Sequence, residues 1–257
     1  MKMGVVTLFP SAFDYILEPE RSGLVGKATS KEISIYVEDL RTHGLGKHKI
    51  VDDSPYGGGD GMVLKPEPLA LAFKSLSEKM SVPLDKIKKI FLDPKGDLWT
   101  QKRADKIMAD MRSDTEEKPK AIILLCGRYA GVDERFIESY IDERVSLGPF
   151  ILNGGELPAL CVIESILRLV PEVLGNPQSS QRDSFSQGLN CLIEPPVYTR
   201  PQSWNNRSVP EVLTSGNHKK IKEFEQRLSL TASKLWFSKA IELFEEGLCN
   251  TKKQDKS

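Results

Sequence analysis

The stretch "KIFLDPKGDLWTQKRADKIMADMRSDTEEKPKAIILLCGRYAG", residues 89–131, decides the fold. It holds two short apolar runs, "KIFLD" (89–93) and "AIILLC" (121–126), each leading into a loop with polar or glycine residues. Between them Ala104, Ile107, Met108 and Met111 recur at helical spacing, which predicts a helix over "TQKRADKIMADMRS". Strand, helix, strand is the unit of a parallel sheet, and a chain that repeats it covers the sheet on both faces.

The repetition extends in both directions. "GVVTLF" (4–9) and "EISIYV" (32–37) are rich in β-branched and aromatic residues and are expected as strands. "VDERFIESYI" (132–141) and "ELPALCVIESILRLV" (156–170) are expected as helices, the second with Pro158 in its first turn and Pro171 at its end. From 175 to 208 the chain turns polar, with four prolines and no steady period, which suggests a functional loop or a linker. Beyond it, "NHKKIKEFEQRLSLTASKLWFSKAIELFEEGL" (217–248) is expected as two helices, with Ile221, Phe224 and Leu228 on one face of the first. The last residues, "NTKKQDKS", are expected to fray.

Composition narrows the function classes. With 257 residues, 39% hydrophobic and 28% charged, the chain can bury a core and stay soluble. It has no apolar run of the roughly 18 residues that would suggest a membrane span. The start, "MKMGVVTLFP", is expected as a first strand and not a secretory leader. Cys126, Cys161, Cys191 and Cys249 are scattered without a CxxC pair, which fits a reduced cytosolic protein. His43 and His48 lack partners at zinc-ligand spacing, so no metal centre is expected from them. Net charge is zero, yet residues 201–257 carry ten Lys and Arg against seven Asp and Glu. That mild basic bias suits either a solvated helical surface or contact with nucleic acid.

The glycine loops separate the ligand classes. "VDDSPYGGGDGM" (51–62) carries four glycines, at 57, 58, 59 and 61, but lacks the Lys and Ser/Thr of a nucleotide P-loop. No GxGxxG joins an early strand to a helix. "LDPKG" (92–96) and "CGRYAG" (126–131) follow strands, and "LGPFILNGGELP" (147–158) precedes a helix. Loops outside the carboxyl ends of parallel strands are where α/β sheets bind ligands.

"VDDSPYGGGDGM", "CGRYAGVDER", "LNGGELPA", "DSFSQGL", "PPVYTRP" and "SGNH", in this order, resemble the bacterial tRNA (guanine-N1)-methyltransferases of TrmD type, in the SPOUT class. The resemblance covers about residues 3–230. It implies an α/β fold: a SPOUT-type parallel sheet with a deep trefoil knot, plus a small all-helical C-terminal domain. The expected organisation is a knotted S-adenosylmethionine-binding domain at 1–175, an interdomain linker and active-site lid at 176–208, and a helical tRNA-binding domain at 209–257. The implied protein is a cytoplasmic homodimer without membrane attachment. It methylates N-1 of the guanosine immediately 3′ of the anticodon, position 37, and its partner is the anticodon stem-loop.

Residue by residue, the resemblance implies that Asp183 is the general base and Arg168 the catalytic arginine. Pro94, Gly127, Tyr129, Leu147, Gly148, Pro149, Phe150, Ile151, Leu152, Gly154, Gly155 and Pro158 would bind the methyl donor. Asp52, Tyr56, Arg200, His218 and Lys219 would meet RNA. The chemistry agrees with these residue types. N-1 of guanine must lose its proton before it attacks a methyl group, and a carboxylate can take that proton. The charge that develops on O6 suits an arginine donor. Read locally, Arg168 also fits an ion pair with Glu164, Asp183 a helix cap, and Arg200 and Lys219 solvated charges.

The chain departs from the family pattern at several positions. Ala130 stands where members usually carry a glutamate linked to magnesium dependence, so the magnesium requirement is open. Pro149 and Phe150 stand where Asp and Tyr are common, and Asn153 where Ser is usual. The stretch from Asp183 to Tyr198 is about three residues longer than the pattern. Two other readings compete: a non-catalytic SPOUT-like RNA-binding protein, and a nucleotide-hydrolysing enzyme using the "GGGDG" loop. The Asp183 and Arg168 pair argues against the first, and the missing P-loop Lys and Ser/Thr against the second.

Overall fold

The computed structural model describes residues 1–18, 26, 33–171 and 182–251, with side chains to residue 240. Residues 176–181 of the expected linker and the C-terminal residues 252–257 lie outside the described residues. The chain divides into two compact units, Met1–Asn176 and Pro177–Ser257.

The first unit is built on a five-stranded sheet. Its strands are β1 (Lys2–Thr7), β2 (Ser34–Asp39), β5 (Ile87–Leu98), β6 (Ala121–Cys126) and β7 (Glu143–Ser146), with β3 (Asp52–Asp53) and β4 (Val63–Leu64) forming a separate antiparallel pair. The sheet order is β2-β1-β6-β5-β7, and every pairing is parallel. "AIILLC" is apolar throughout because β6 lies near the centre and is buried on both faces. Ile122, Leu124 and Cys126 face one core, while Ala121, Ile123 and Leu125 face the other.

The helices follow from the same alternation. In order they are α1 (Asp14–Leu17), α2 (Pro66–Met80), α3 (Gln101–Arg112), α4 (Glu134–Tyr140), α5 (Glu156–Leu167), α6 (Glu211–Thr214) and α7 (His218–Thr251). Ala104, Ile107, Met108 and Met111 of α3 join Ala159, Val162, Ile163 and Ile166 of α5 in the first core. Leu69, Phe73 and Leu76 of α2 pack with Phe136 and Ile137 of α4 in the second. Within it, Phe73 and Phe136 meet edge to face with ring centroids 5.2 Å apart.

β5 runs further than the apolar run suggests. It passes Pro94, and its register against β7 shifts between Leu92 and Asp97. A proline cannot donate to a ladder, and a bulge is where a strand tolerates one. The bulge turns residues 93–96 out of the sheet as a loop, so one apolar run supplies both a core strand and a site wall.

At the far edge of the sheet, Glu38 on β2 is only 3% exposed. It accepts hydrogen bonds from Lys79 and from Ser75 (2.9 Å), and pairs with His43 Nε2 at 2.6 Å. Burial alone would push its carboxyl up; the three bonds and the Lys79 charge outweigh it and hold the group below the usual glutamate range. The resulting stability is fully present above the ordinary value of 4.5 and is lost as pH falls through the lower folded value. Glu38→Gln is expected to cost about 1–3 kcal/mol at pH 7. Denaturant unfolding between pH 7 and pH 3 checks this: the gap between wild type and variant should close in acid.

The second unit differs from expectation in two places. One helix, α7, covers 34 residues where two were expected. Neither glycine nor proline interrupts His218–Glu246, so nothing in the local chemistry ends the first helix early. Ile221, Phe224 and Leu228 are half-buried along it. The polar segment before it is also not structureless. Phe185 N donates to Leu192 O (2.8 Å), Ser184 Oγ to Glu194 Oε2 (3.0 Å) and Ile193 N to Ser233 Oγ of α7 (2.8 Å). A small hairpin follows, Ser203–Trp204 with Arg207–Ser208.

Candidate active site

Three adjacent parallel strands, β6, β5 and β7, end on the same side of the sheet, and the loops that leave them enclose a cavity of about 410 Å³. That volume lies within the range of small-molecule sites. Its walls come from Phe91–Lys95, from the 127–132 loop and from the 144–155 segment, with Pro158 of α5. Eleven of the twelve residues expected around the methyl donor line it: Pro94, Gly127, Tyr129, Leu147, Gly148, Phe150, Ile151, Leu152, Gly154, Gly155 and Pro158. Pro149 does not line it, although both its neighbours do.

The loops are held together through the backbone. Gly155 N donates to Gly127 O at 3.0 Å, and Trp99 N donates to Ser146 O at 2.7 Å. A Cβ on Gly155 would stand 2.6 Å from Cys126 Cα and 2.9 Å from Gly127 N, so only glycine lets the 147–155 loop lie this close to the end of β6. At Gly96 a Cβ would stand 2.3 Å from Val145 N. These approaches hold the loops together, and Gly127, Gly131, Gly148, Gly154 and Gly155 are among the residues that line the cavity.

Two ionic networks brace the walls, and neither was singled out in the sequence. Glu156, buried at the start of α5, accepts from Thr7 Oγ1 at 2.7 Å and pairs with Arg128 Nη2 at 3.1 Å. Arg128 Nη1 also donates to Asn153 O at 3.1 Å, and its guanidinium lies 4.2 Å over the Phe9 ring. The end of β1, the 127–131 loop and the 147–155 loop are thus tied together through Arg128 and Glu156. On the opposite wall Arg144 pairs with Asp93 Oδ2 (3.4 Å) and with Glu134. The signal in the sequence was a charged residue inside each glycine loop, "CGRYAG" and "GGELP". Glu156→Ala would leave Arg128 without its carboxylate. It is expected to cost about 2–4 kcal/mol of stability and to loosen donor binding, checked by thermal melts and calorimetry.

Cys126, the last residue of β6, is buried in the first core just before the 127–131 loop. Burial pushes its thiol well above the usual cysteine range, and the Glu156 carboxylate adds to that, so it stays protonated and is not a nucleophile. Among the described residues no three His, Cys, Asp or Glu side chains converge as a metal site, and no helix is long and apolar enough to cross a membrane.

The loop "VDDSPYGGGDGM" lies beside this cavity. It closes β3 onto β4, and Ala130 N donates to Met62 O (2.9 Å) while Leu64 N donates to Gly131 O (3.0 Å). Gly57, Gly58 and Gly59 have φ of 86°, 81° and 116°, with open space where a Cβ would stand. Their glycine is required by left-handed backbone, not by close packing. Tyr56 at its tip is fully exposed. Asp52 sits on β3 opposite Leu64, and Asp53 is held below the usual aspartate range by its bond to Lys65.

The other expected residues are distributed over both units. Arg168 is the exposed residue that caps the C-terminus of α5, where its N–H donates to Glu164 O at 3.1 Å. Asp183 belongs to the second unit and is half-buried in a bend whose carbonyl accepts from Ser186 N at 3.1 Å. Arg200 is exposed in the segment before the hairpin, and His218 and Lys219 open α7 with exposed side chains.

Comparison with known proteins places this geometry. The family model described as "tRNA (Guanine-1)-methyltransferase TrmD" matches residues 1–243. A relative from Pseudoalteromonas translucida (strain TAC 125), named tRNA (guanine-N(1)-)-methyltransferase, is 42% identical over 235 residues, covering 91% of this chain and 84% of its own. One of the same name from Bacillus pumilus (strain SAFR-032) is 42% identical over 231 residues, 90% of this chain and 87% of its own. Another, from Staphylococcus haemolyticus (strain JCSC1435), is 41% identical over 237 residues, 91% and 89% of the two chains.

Proposed function

Since the chain belongs to the tRNA (guanine-1)-methyltransferase family, we propose that it transfers a methyl group from S-adenosylmethionine to N-1 of the guanosine immediately 3′ of the tRNA anticodon. The observation that carries this reading is the cavity at the ends of β6, β5 and β7, lined by glycine-containing loops held in close approach. Its volume and its mixture of peptide groups with Phe91, Leu147 and Leu152 suit an adenosine bearing a short amino-acid tail. The bound donor supplies an electrophilic methyl group on a sulfonium.

The chain's own residues do the rest. Asp183 takes the proton from guanine N-1, a contribution of about 10²- to 10⁴-fold. Arg168 donates to O6 as negative charge builds there. The glycine loops hold the donor so that alignment with N-1 lowers the remaining barrier. The guanine leaves its stack to reach the site, at a cost of a few kcal/mol that is smaller in a loop. The 176–208 segment acts as a linker and lid carrying Asp183, and Tyr56 with Asp52 helps receive the RNA.

Further parts of the reading are a deep trefoil knot, a homodimer, a cytoplasmic location and a helical C-terminal unit that binds tRNA. The knot is supported by the hydrogen bonds and close approaches that link 93–99, 127–131 and 146–155. A second copy suits the exposed Leu157 and Cys161, four residues apart on α5. The methyl side chain of Ala130 cannot ligate a cation, so no step is assigned to magnesium. Labelled S-adenosylmethionine incubated with a tRNA transcript, with and without magnesium, tests the proposal. Incorporation by the wild type supports it; donor binding without incorporation would favour a non-catalytic RNA-binding relative.

A further inference from the structure

The hairpin at 203–208 is encoded locally and presents one large side chain to solvent. Ser203 pairs with Ser208 and Trp204 with Arg207, and Val209 N extends the pairing to Gln202 O at 2.9 Å. Asn205 and Asn206 have φ of 54° and 60°, the two left-handed residues that a tight hairpin turn requires. Trp204 is 71% exposed, and its cross-strand partner Arg207 is exposed as well. Directly opposed residues project from the same face of a hairpin.

The surroundings decide what this face fits. Residues 195–210 contain Arg200 and Arg207 and no Asp or Glu. Neither arginine makes an ion pair among the described residues. Trp204 is flanked in sequence by Ser203, Asn205 and Gln202, all polar and exposed. Trp236, by contrast, lies against Phe185 and Phe237 at 5.5 and 5.0 Å. A lone indole face opposite the guanidinium of Arg207, with Arg200 four residues before Trp204 in the chain, matches the two parts of a nucleotide, the flat base and the phosphate.

We propose that Trp204 stacks on an unpaired base of the tRNA while Arg207 and Arg200 hold the adjoining phosphates. This rests on the tRNA reading above and adds an RNA subsite on the second unit. The register fixes the spacing: stacking on the indole places the flanking backbone over the strand that carries Arg207.

Methyl-transfer kinetics and direct tRNA binding by gel shift, on the full chain, test it together. Trp204→Ala is expected to raise KM for tRNA and weaken tRNA binding by about 5- to 100-fold, the range for loss of one stacked base. Its kcat and its affinity for S-adenosylmethionine should match wild type. Trp204→Phe should recover part of the loss, and Arg207→Ala should weaken binding with a shallower dependence on salt. Thermal melts that match wild type exclude a folding defect, and Arg207→Glu gives an independent test. Unchanged KM and binding in both Trp204→Ala and Arg207→Glu would overturn the proposal. Weakened binding in the variants, with no methyl transfer even by wild type, would keep the hairpin subsite and remove the enzymatic reading.

Discussion

Replacing Asp183 by alanine is expected to lower the rate of methyl transfer by about 10²- to 10⁴-fold while donor affinity stays within twofold of wild type. The expectation follows from what N-1 needs. The guanine nitrogen carries a proton, and no attack on a methyl group is productive until a positioned base has taken it. Asp183→Asn is the sharper variant, since the amide keeps the size and loses the basic oxygen. Asp183 is not among the residues that line the cavity, and the carboxylate is asked to act on guanine N-1, not on the donor. Single-turnover transfer with donor and tRNA in excess measures the chemical step; a variant that retains a third or more of the wild-type rate would remove Asp183 as the base.

The second large effect is expected at Gly155. Adding one methyl group there places Cβ 2.6 Å from Cys126 Cα and 2.9 Å from Gly127 N, both backbone atoms that cannot rotate away. The 147–155 loop must then withdraw from the end of β6, breaking the Gly155 N to Gly127 O bond. Gly155→Ala is expected to weaken S-adenosylmethionine binding by about 10- to 100-fold, in line with the cost of overpacking a close contact. Gly127→Ala should cost less, because its added Cβ meets the edge of the Phe91 ring, a side chain that can shift. Calorimetric titration of the donor ranks the two. Equal affinities for the Gly155 variant and wild type would mean that backbone approach does not shape the site.

Much of the fold was legible because its signals are local. "AIILLC" announces a strand buried on both faces, and the Ala104, Ile107, Met108 and Met111 spacing announces a helix, as the two cores show. What escaped the sequence depends on partners far along the chain. The length of β5 could not be read from "KIFLD", since its continuation past Pro94 exists only through pairing with β7 some fifty residues later. The expectation of two helices over 217–248 gives way to the single helix α7, since helix continuity depends on the lack of Gly and Pro.

The candidate site divides in the same way. Glycine loops after strands marked the cavity, and eleven of twelve expected residues line it. Pro149 stands apart, between Gly148 and Phe150, because consecutive residues in an irregular loop point in different directions. Arg128 with Glu156 and Arg144 with Asp93 were invisible as pairs, being 28 and 51 residues apart in the chain. The sequence held each charge; only the fold supplied its partner. The four glycines of the 51–62 loop raised a choice between close packing and unusual dihedrals, and the positive φ angles decide it for Gly57, Gly58 and Gly59.

The measurement that bears most directly on the central claim is the identity and position of the product. A tRNA transcript with guanosine 3′ of the anticodon is treated with the wild-type chain and S-adenosylmethionine, digested, and its nucleosides are analysed by mass spectrometry against authentic standards. The expected product is 1-methylguanosine at that position, and none when the guanosine is replaced by adenosine. A methyl group on another guanine atom, or at another position of the tRNA, would contradict it.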